Sequence, residues 1–179
     1  AHGGALLKLH TGSDTFVRPS MGSWISYGLG TENQNLPSFL TINPTLGHGG
    51  VGNWASAFLP AVHQGTRIGG GVPVEQATIN YLHDPNENTP RQRAQLDLLG
   101  EMNREHLARV GADPALEARI ESFELAFRMQ TEAPDVMNLD GETPATRRLY
   151  GLDDPKTASF ARQCLLARRF SERGVRFVQ

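Results

Sequence analysis

One cysteine, Cys164, in 179 residues excludes an internal disulfide and gives no support to a cysteine-rich zinc site. No apolar run approaches the ~20 residues needed to cross a bilayer as a helix, and no signal peptide is visible. An excess of either charge is missing too. Seventeen Lys and Arg against 19 Asp and Glu leave a net charge of −2, which provides no electrostatic footprint for nucleic acid. The generic catalytic signatures are absent: there is no H-E-x-x-H, no G-x-S-x-G and no Walker loop. The six histidines, His2, His10, His48, His63, His83 and His106, include no H-x-x-x-H pair that would bring two metal ligands to one helix face. Internal repeats and low-complexity tracts are also lacking.

What is present is glycine and proline, 19 and 11 residues, spread among apolar positions. That mixture indicates many loops on a compact scaffold, and the length predicts one domain with a real core. Residues Ala5 to Leu9 predict a short helix stopped by Gly12. Pro19 and Ser20 open a second helix through about Tyr27, with Gly28 or Gly30 as its left-handed stop. Ser38 to Ile42 reads as a strand between Pro37 and Pro44. From Asn43 to about Thr89 the chain is rich in glycine, proline and amides, a long irregular stretch of the kind that is usually functional.

The C-terminal half reads as helical. Thr89-Pro90-Arg91-Gln92 has the form of a capping box. Asp113-Pro114, Thr143-Pro144 and Asp154-Pro155 open three further helices, with aspartate or threonine as cap. Leu116, Ile120, Phe123 and Phe127 form one stripe, and Phe160, Cys164 and Ala167 run beside Ala161 and Leu165. Gly174 ends the last helix, and the alternation of Val175, Phe177 and Gln179 predicts a strand. Helix, glycine turn and strand together form the return leg of an α/β unit. A second domain boundary would fall near Pro85 to Thr89, although a helical layer fits better than a separate domain.

Candidate chemistry is sparse. Arg162, Arg168, Arg169, Arg173 and Arg176 give the last helix a basic face, for which complementing the helix dipole is the simpler account. Trp24, Tyr27 and Trp54 either pack or line a pocket, with aromatic core as the default. Thr31-Glu32-Asn33-Gln34-Asn35 places successive hydrogen-bonding side chains beside a glycine-ended helix, either as a structural polar network or as ligand contacts.

The blocks Arg18-Pro19-Ser20-Met21-Gly22-Ser23-Trp24 and Asn33-Gln34-Asn35-Leu36-Pro37 resemble those of a large bacterial family of sulfatase-like proteins, mostly of unknown function, in the alkaline phosphatase superfamily. Further similar blocks are Phe58 to Thr66, Gln92-Arg93 with Leu96 to Leu99, Glu124 to Gln130, Tyr150-Gly151, and Phe160 to Arg169. The resemblance implies an α/β sandwich with a mostly parallel sheet between helices. It implies metal-assisted hydrolysis of sulfate or phosphate esters at the strand ends.

The same resemblance implies that residues 1–179 are a partial sulfatase-like domain. It lacks the N-terminal strand that carries the first metal ligand and the later Asp/His ligands beyond Gln179. Ala1-His2-Gly3 begins without methionine, consistent with an internal fragment. His2 is the one position carried over to the edge of the catalytic site, and Asn33, Asn53 and His63 are the candidates for substrate binding. No complete metal site is expected in this chain. A divalent metal (Ca, Zn or Mg) is implied for the full-length parent, and a periplasmic or secreted home is implied with it. The expected ligand is a small-molecule or polysaccharide sulfate or phosphate ester. The alternative is a non-catalytic binding protein on the same scaffold, for a sulfated polysaccharide or a protein partner. Exposed sheet edges predict self-association. A self-contained helical interaction module fits the closing strand poorly.

Overall fold

The computed structural model describes residues 2–79, 82 and 88–179. His83 and Asp84, and the domain boundary placed near Pro85, fall at residues outside that set. The helices are α1 (His2–Thr11), α2 (Met21–Leu29), α3 (Thr89–Val110), α4 (Pro114–Met137), α5 (Pro144–Tyr150) and α6 (Ala158–Glu172). The strands are β1 (Phe39–Ile42), β2 (Thr66–Ile68) and β3 (Phe177–Val178), with short 3-10 turns at Gly50–Trp54, Ala61–His63 and Val74–Gln76. The strands form one sheet in the order β2-β1-β3, and both pairings are parallel. Leu40 is the hinge of the register, paired with Thr66 on one side and Val178 on the other. The expected α/β class is therefore what the chain adopts.

β1 is buried at all four positions, as a central parallel strand must be when both faces are covered. Leu40 and Ile42 join the main core with Leu165, Leu166 and Phe170 of α6 and with Ala133 and Val136 of α4. Phe39 points the other way, toward α2, as the two-residue period of a strand requires. Its ring is held so tightly that a Cβ on Gly22 would lie 2.5 Å from it, and one on Gly65 would lie 2.7 Å from it.

Local chemistry sets most boundaries. Ser20 caps α2 by accepting the Ser23 amide, Asp113 caps α4 through the Ala115 and Leu116 amides, and Thr143 caps α5 through Thr146. Two expected caps need correction. Asn88, not Thr89, caps α3, its Oδ1 accepting from the Arg91 amide at 3.0 Å. An amide oxygen one position earlier does the same work and leaves Pro90 in the first turn. Asp154 instead holds a turn by accepting the Lys156 amide at 2.9 Å, and α6 begins later, at Ala158.

α4 also runs through Pro134 to Met137, because Met129, Ala133 and Val136 are buried and carry the last turn against α6. Arg169 reinforces that end by donating to the carbonyls of Val136 (2.7 Å) and Asp135 (3.0 Å). The basic face of α6 is mostly paired, although the Nε of Arg162 is buried without a partner among the described residues. Arg168 and Arg169 both reach Glu142, and Arg173 reaches Glu132.

The largest departure is α2. Its inward positions are Gly22, Ser23 and Ser26, while Met21, Trp24, Tyr27 and Leu29 face outward. Trp24 and Tyr27 are 47% and 54% exposed, so the expectation of aromatic core fails for both and holds only for Trp54, at 3%. The cause is the short distance to Phe39, which admits only small side chains on the inner face.

Candidate functional site

Those inward serines begin a polar chain. Ser26 Oγ lies 2.5 Å from Ser38 Oγ and 2.9 Å from His63 Nδ1. Ser38 immediately precedes β1, and His63 ends the 3-10 turn leading to β2. The edge of the Tyr27 and His63 rings meets at 5.3 Å between centroids, fixing the imidazole from a second side. Burial holds the His63 pKa below its ordinary value of 6.5, against the opposing pull of the Glu121 carboxylate. The ring is therefore neutral near pH 7. Its Nε2 has no partner among the described residues.

His63 lines a cleft of about 520 Å³ between α2 and α4, together with Ser26, Asn33, Gln34, Glu121 and Arg128. Glu121 has no ion pair among the described residues, whereas Arg128 donates to the Gln34 carbonyl at 2.7 Å and sits 4.0 Å from Glu124. Glu124 is in turn gripped by Arg93 through two bonds of 2.8 and 2.7 Å. Beside the cleft stands an aromatic ridge: Trp24 meets Phe58 at 5.8 Å and Tyr27 at 6.2 Å, both edge-on.

Of the residues singled out in the sequence, the cleft brings together two, His63 and Asn33. The Asn33 amide is committed to its own loop. Nδ2 donates to the Arg173 carbonyl at 2.6 Å, and Oδ1 accepts from the amides of Asn35 (2.6 Å) and Leu36 (3.1 Å). It thereby clasps the turn at Gly174, where φ is +85° and an added Cβ would meet Asn33 at 3.2 Å. Of the two readings left open for the amide-rich loop, the polar network is what the bonds describe. Asn53 lies apart, buried, with Nδ2 donating to the His48 carbonyl at 2.6 Å and Oδ1 unpaired. His2 is exposed on α1, its ring 6.5 Å from that of His48.

The family model described as "Protein of unknown function (DUF1501)" matches residues 1–179. This chain belongs to the DUF1501 family. No curated protein and no solved structure matches it.

Two properties of this DUF1501 chain constrain its chemistry. Among the described residues no group of three His, Cys, Asp or Glu side chains converges as a divalent metal would need. The donors among the described residues do not fit the metal that the resemblance implies. The Ser26–His63 pair has the spacing of a nucleophile and base. Ser26, however, is only 2% exposed and shares its hydroxyl with Ser38. The bond therefore orients the imidazole, and the group offered to the cleft is His63. Sequence reasoning missed Ser26 and Glu121. The signal for Ser26 was the run of small residues Gly22, Ser23 and Ser26 on one face of an otherwise apolar helix.

The cleft sits at the amino ends of the strands, since Ser38 precedes β1 and His63 to Gly65 precede β2. The opposite, carboxyl edge is built from Asn43 after β1, Gly69 to Gly71 after β2, and Gln179 after β3. A shallow space of about 480 Å³ there is lined by Asn43 to Leu46 and Gly71 to Pro73, none of them titratable.

Proposed function

We propose that this chain is part of a hydrolase of sulfate or phosphate esters built on an alkaline-phosphatase-like sandwich, and that it supplies the scaffold rather than the reacting centre. The observation that supports the reading is the parallel β2-β1-β3 order, which aligns the carboxyl ends of all three strands on one edge. Open α/β sheets bind their ligands outside the carboxyl ends of the strands. The backbone at that edge is glycine-rich, and the Oε1 of Gln179 there is buried without a partner among the described residues. A divalent metal, when bound, would offset charge on the ester oxygens; in this reading its ligands come from residues outside this chain. His2 would stand at the margin of that centre.

The second reading, a non-catalytic binding protein for a sulfated polysaccharide or a protein partner, draws on the exposed rings of Trp24, Tyr27 and Phe58 beside the His63 cleft. Turnover of aryl sulfate and aryl phosphate separates the two. The longest protein that contains this chain is assayed with and without chelator, with residues 1–179 run in parallel. Chelator-sensitive turnover by the longer protein supports the hydrolase; inactivity of well-folded protein on both esters favours binding.

A further inference from the structure

We propose that the His63 cleft and the aromatic ridge beside it form a binding site for a neutral oligosaccharide, separate from any reacting centre at the carboxyl edge of the sheet. Three observations on this structure carry the proposal.

The first is the inverted helix. α2 turns Gly22, Ser23 and Ser26 inward and presents Trp24 and Tyr27 to solvent, with Phe58 (70% exposed) packed edge-on against Trp24. Edge-to-face contacts hold these exposed rings in place, so the ridge is ordered before anything binds. Exposed aromatic rings suit the apolar C–H faces of a pyranose ring.

The second is continuity with hydrogen-bonding groups. Tyr27 touches His63, and His63 lines the cleft with Gln34 and Glu121. A neutral imidazole, and the Gln34 amide and Glu121 carboxylate with no side-chain partner among the described residues, can each donate to or accept from sugar hydroxyls. The cleft volume of about 520 Å³ suits one or two sugar rings.

The third is charge. The lining holds two carboxylates, Glu121 and Glu124, against one guanidinium, Arg128. Arg128 gives its Nε–H to the Gln34 carbonyl and lies 4.0 Å from Glu124, which Arg93 holds in turn, so Glu121 is the lining carboxylate left without an ion pair among the described residues. A sulfate or phosphate group entering here would meet the like charge of Glu121. Hydroxylated and uncharged is the chemistry that the site accepts.

The site is argued from the cleft and stands whether or not the chain belongs to an ester hydrolase. Residues 1–179 are titrated with maltotriose, cellotriose and chitotriose, and with a chondroitin sulfate hexasaccharide as the charged probe, following tryptophan fluorescence. Of the two tryptophans, Trp54 is buried, so the response reports Trp24. The expected result is a saturable change with at least one neutral trisaccharide and a weaker or absent one with the sulfated probe. Glu121→Gln and Phe58→Ala, both at exposed positions, should each weaken binding by about tenfold, the loss of one good contact. Their unaltered thermal melts would show that the fold is intact. No saturable change with any neutral trisaccharide, tighter binding of the sulfated probe, or unchanged affinity in both variants would overturn the proposal. Ester turnover by the longer protein can succeed or fail independently of this titration.

Discussion

Replacing Gly22 with alanine tests whether the close approach of α2 to β1 governs both the inverted helix and the cleft. A methyl group at Gly22 would sit 2.5 to 2.6 Å from three carbons of the Phe39 ring. Carbon atoms in contact settle at about 3.5–4.0 Å, so helix and ring must part by roughly 1 Å. Phe39 cannot yield readily: it is 1% exposed, backed by Gly65, and packed against Phe177 at 5.5 Å. Retreat of the helix instead would stretch the Ser26 bonds to Ser38 and His63, now 2.5 and 2.9 Å, beyond useful length.

Overpacking costs about 1–3 kcal/mol, and each lost bond adds about 0.5–1.5 kcal/mol. Alanine's better helix propensity returns about 1 kcal/mol. The net expectation is a loss of roughly 3 kcal/mol, or about 6–12 °C in Tm for a domain of this size. Urea and thermal unfolding followed by circular dichroism would measure it. Gly28→Ala is the control, because a Cβ there meets nothing within 4 Å. If Gly22→Ala proves as stable as the parent chain, or gains stability as propensity alone predicts, the argument from close approach is wrong.

Removing the Asn33 amide with Asn33→Ala deletes three bonds at once, to Arg173, Asn35 and Leu36; a loss of about 1–3 kcal/mol is expected in urea unfolding, and an unchanged midpoint would show that the loop is held by something else. Burial holds the His63 pKa below 6.5 in the folded chain, so the unfolded state takes up its proton first. Stability should be full above about pH 6.5 and fall as the pH drops through that value, with a smaller fall in His63→Asn; equal slopes in the two proteins would contradict the assignment. With no converging donors among the described residues, chelator or added Ca, Zn or Mg should leave the Tm of residues 1–179 unchanged, and a clear metal-dependent rise would reveal an unrecognised site. The outer edge of β3 has no strand partner among the described residues, and α3 exposes Leu98, Leu99 and Met102. Light scattering should therefore show a mass that rises with concentration, whereas a stable monomer at high concentration would count against self-association.

Much of this fold could be read from the sequence because its boundaries are set by neighbours in the chain. Ser20, Asp113 and Thr143 bond amides two or three residues away, and Gly111 and Gly151 end helices by their own backbone freedom. β2 was not legible for the opposite reason. Thr66-Arg67-Ile68 is too short to display a period, and it becomes a strand only by pairing with β1. The direction of α2 was hidden in the same way. Nothing within the helix says that Gly22 must meet Phe39, so the large apolar residues read as core when they are surface. The candidate site was only partly visible: His63 and Asn33 stood out, but Ser26 and Glu121 gain meaning only when α2, α4 and the turn before β2 converge.

The proposed function assigns ester chemistry to the carboxyl edge of the sheet and leaves the His63 cleft at the amino edge outside the reacting centre. The most direct test is kcat on 4-nitrophenyl sulfate and 4-nitrophenyl phosphate for the longest protein containing this chain, as wild type and as His63→Ala, with and without chelator. The account predicts turnover that chelator abolishes and that His63→Ala leaves within about threefold. A fall of about 10²–10⁴ in kcat, the size expected on losing a general base, would place the chemistry at His63 and contradict it.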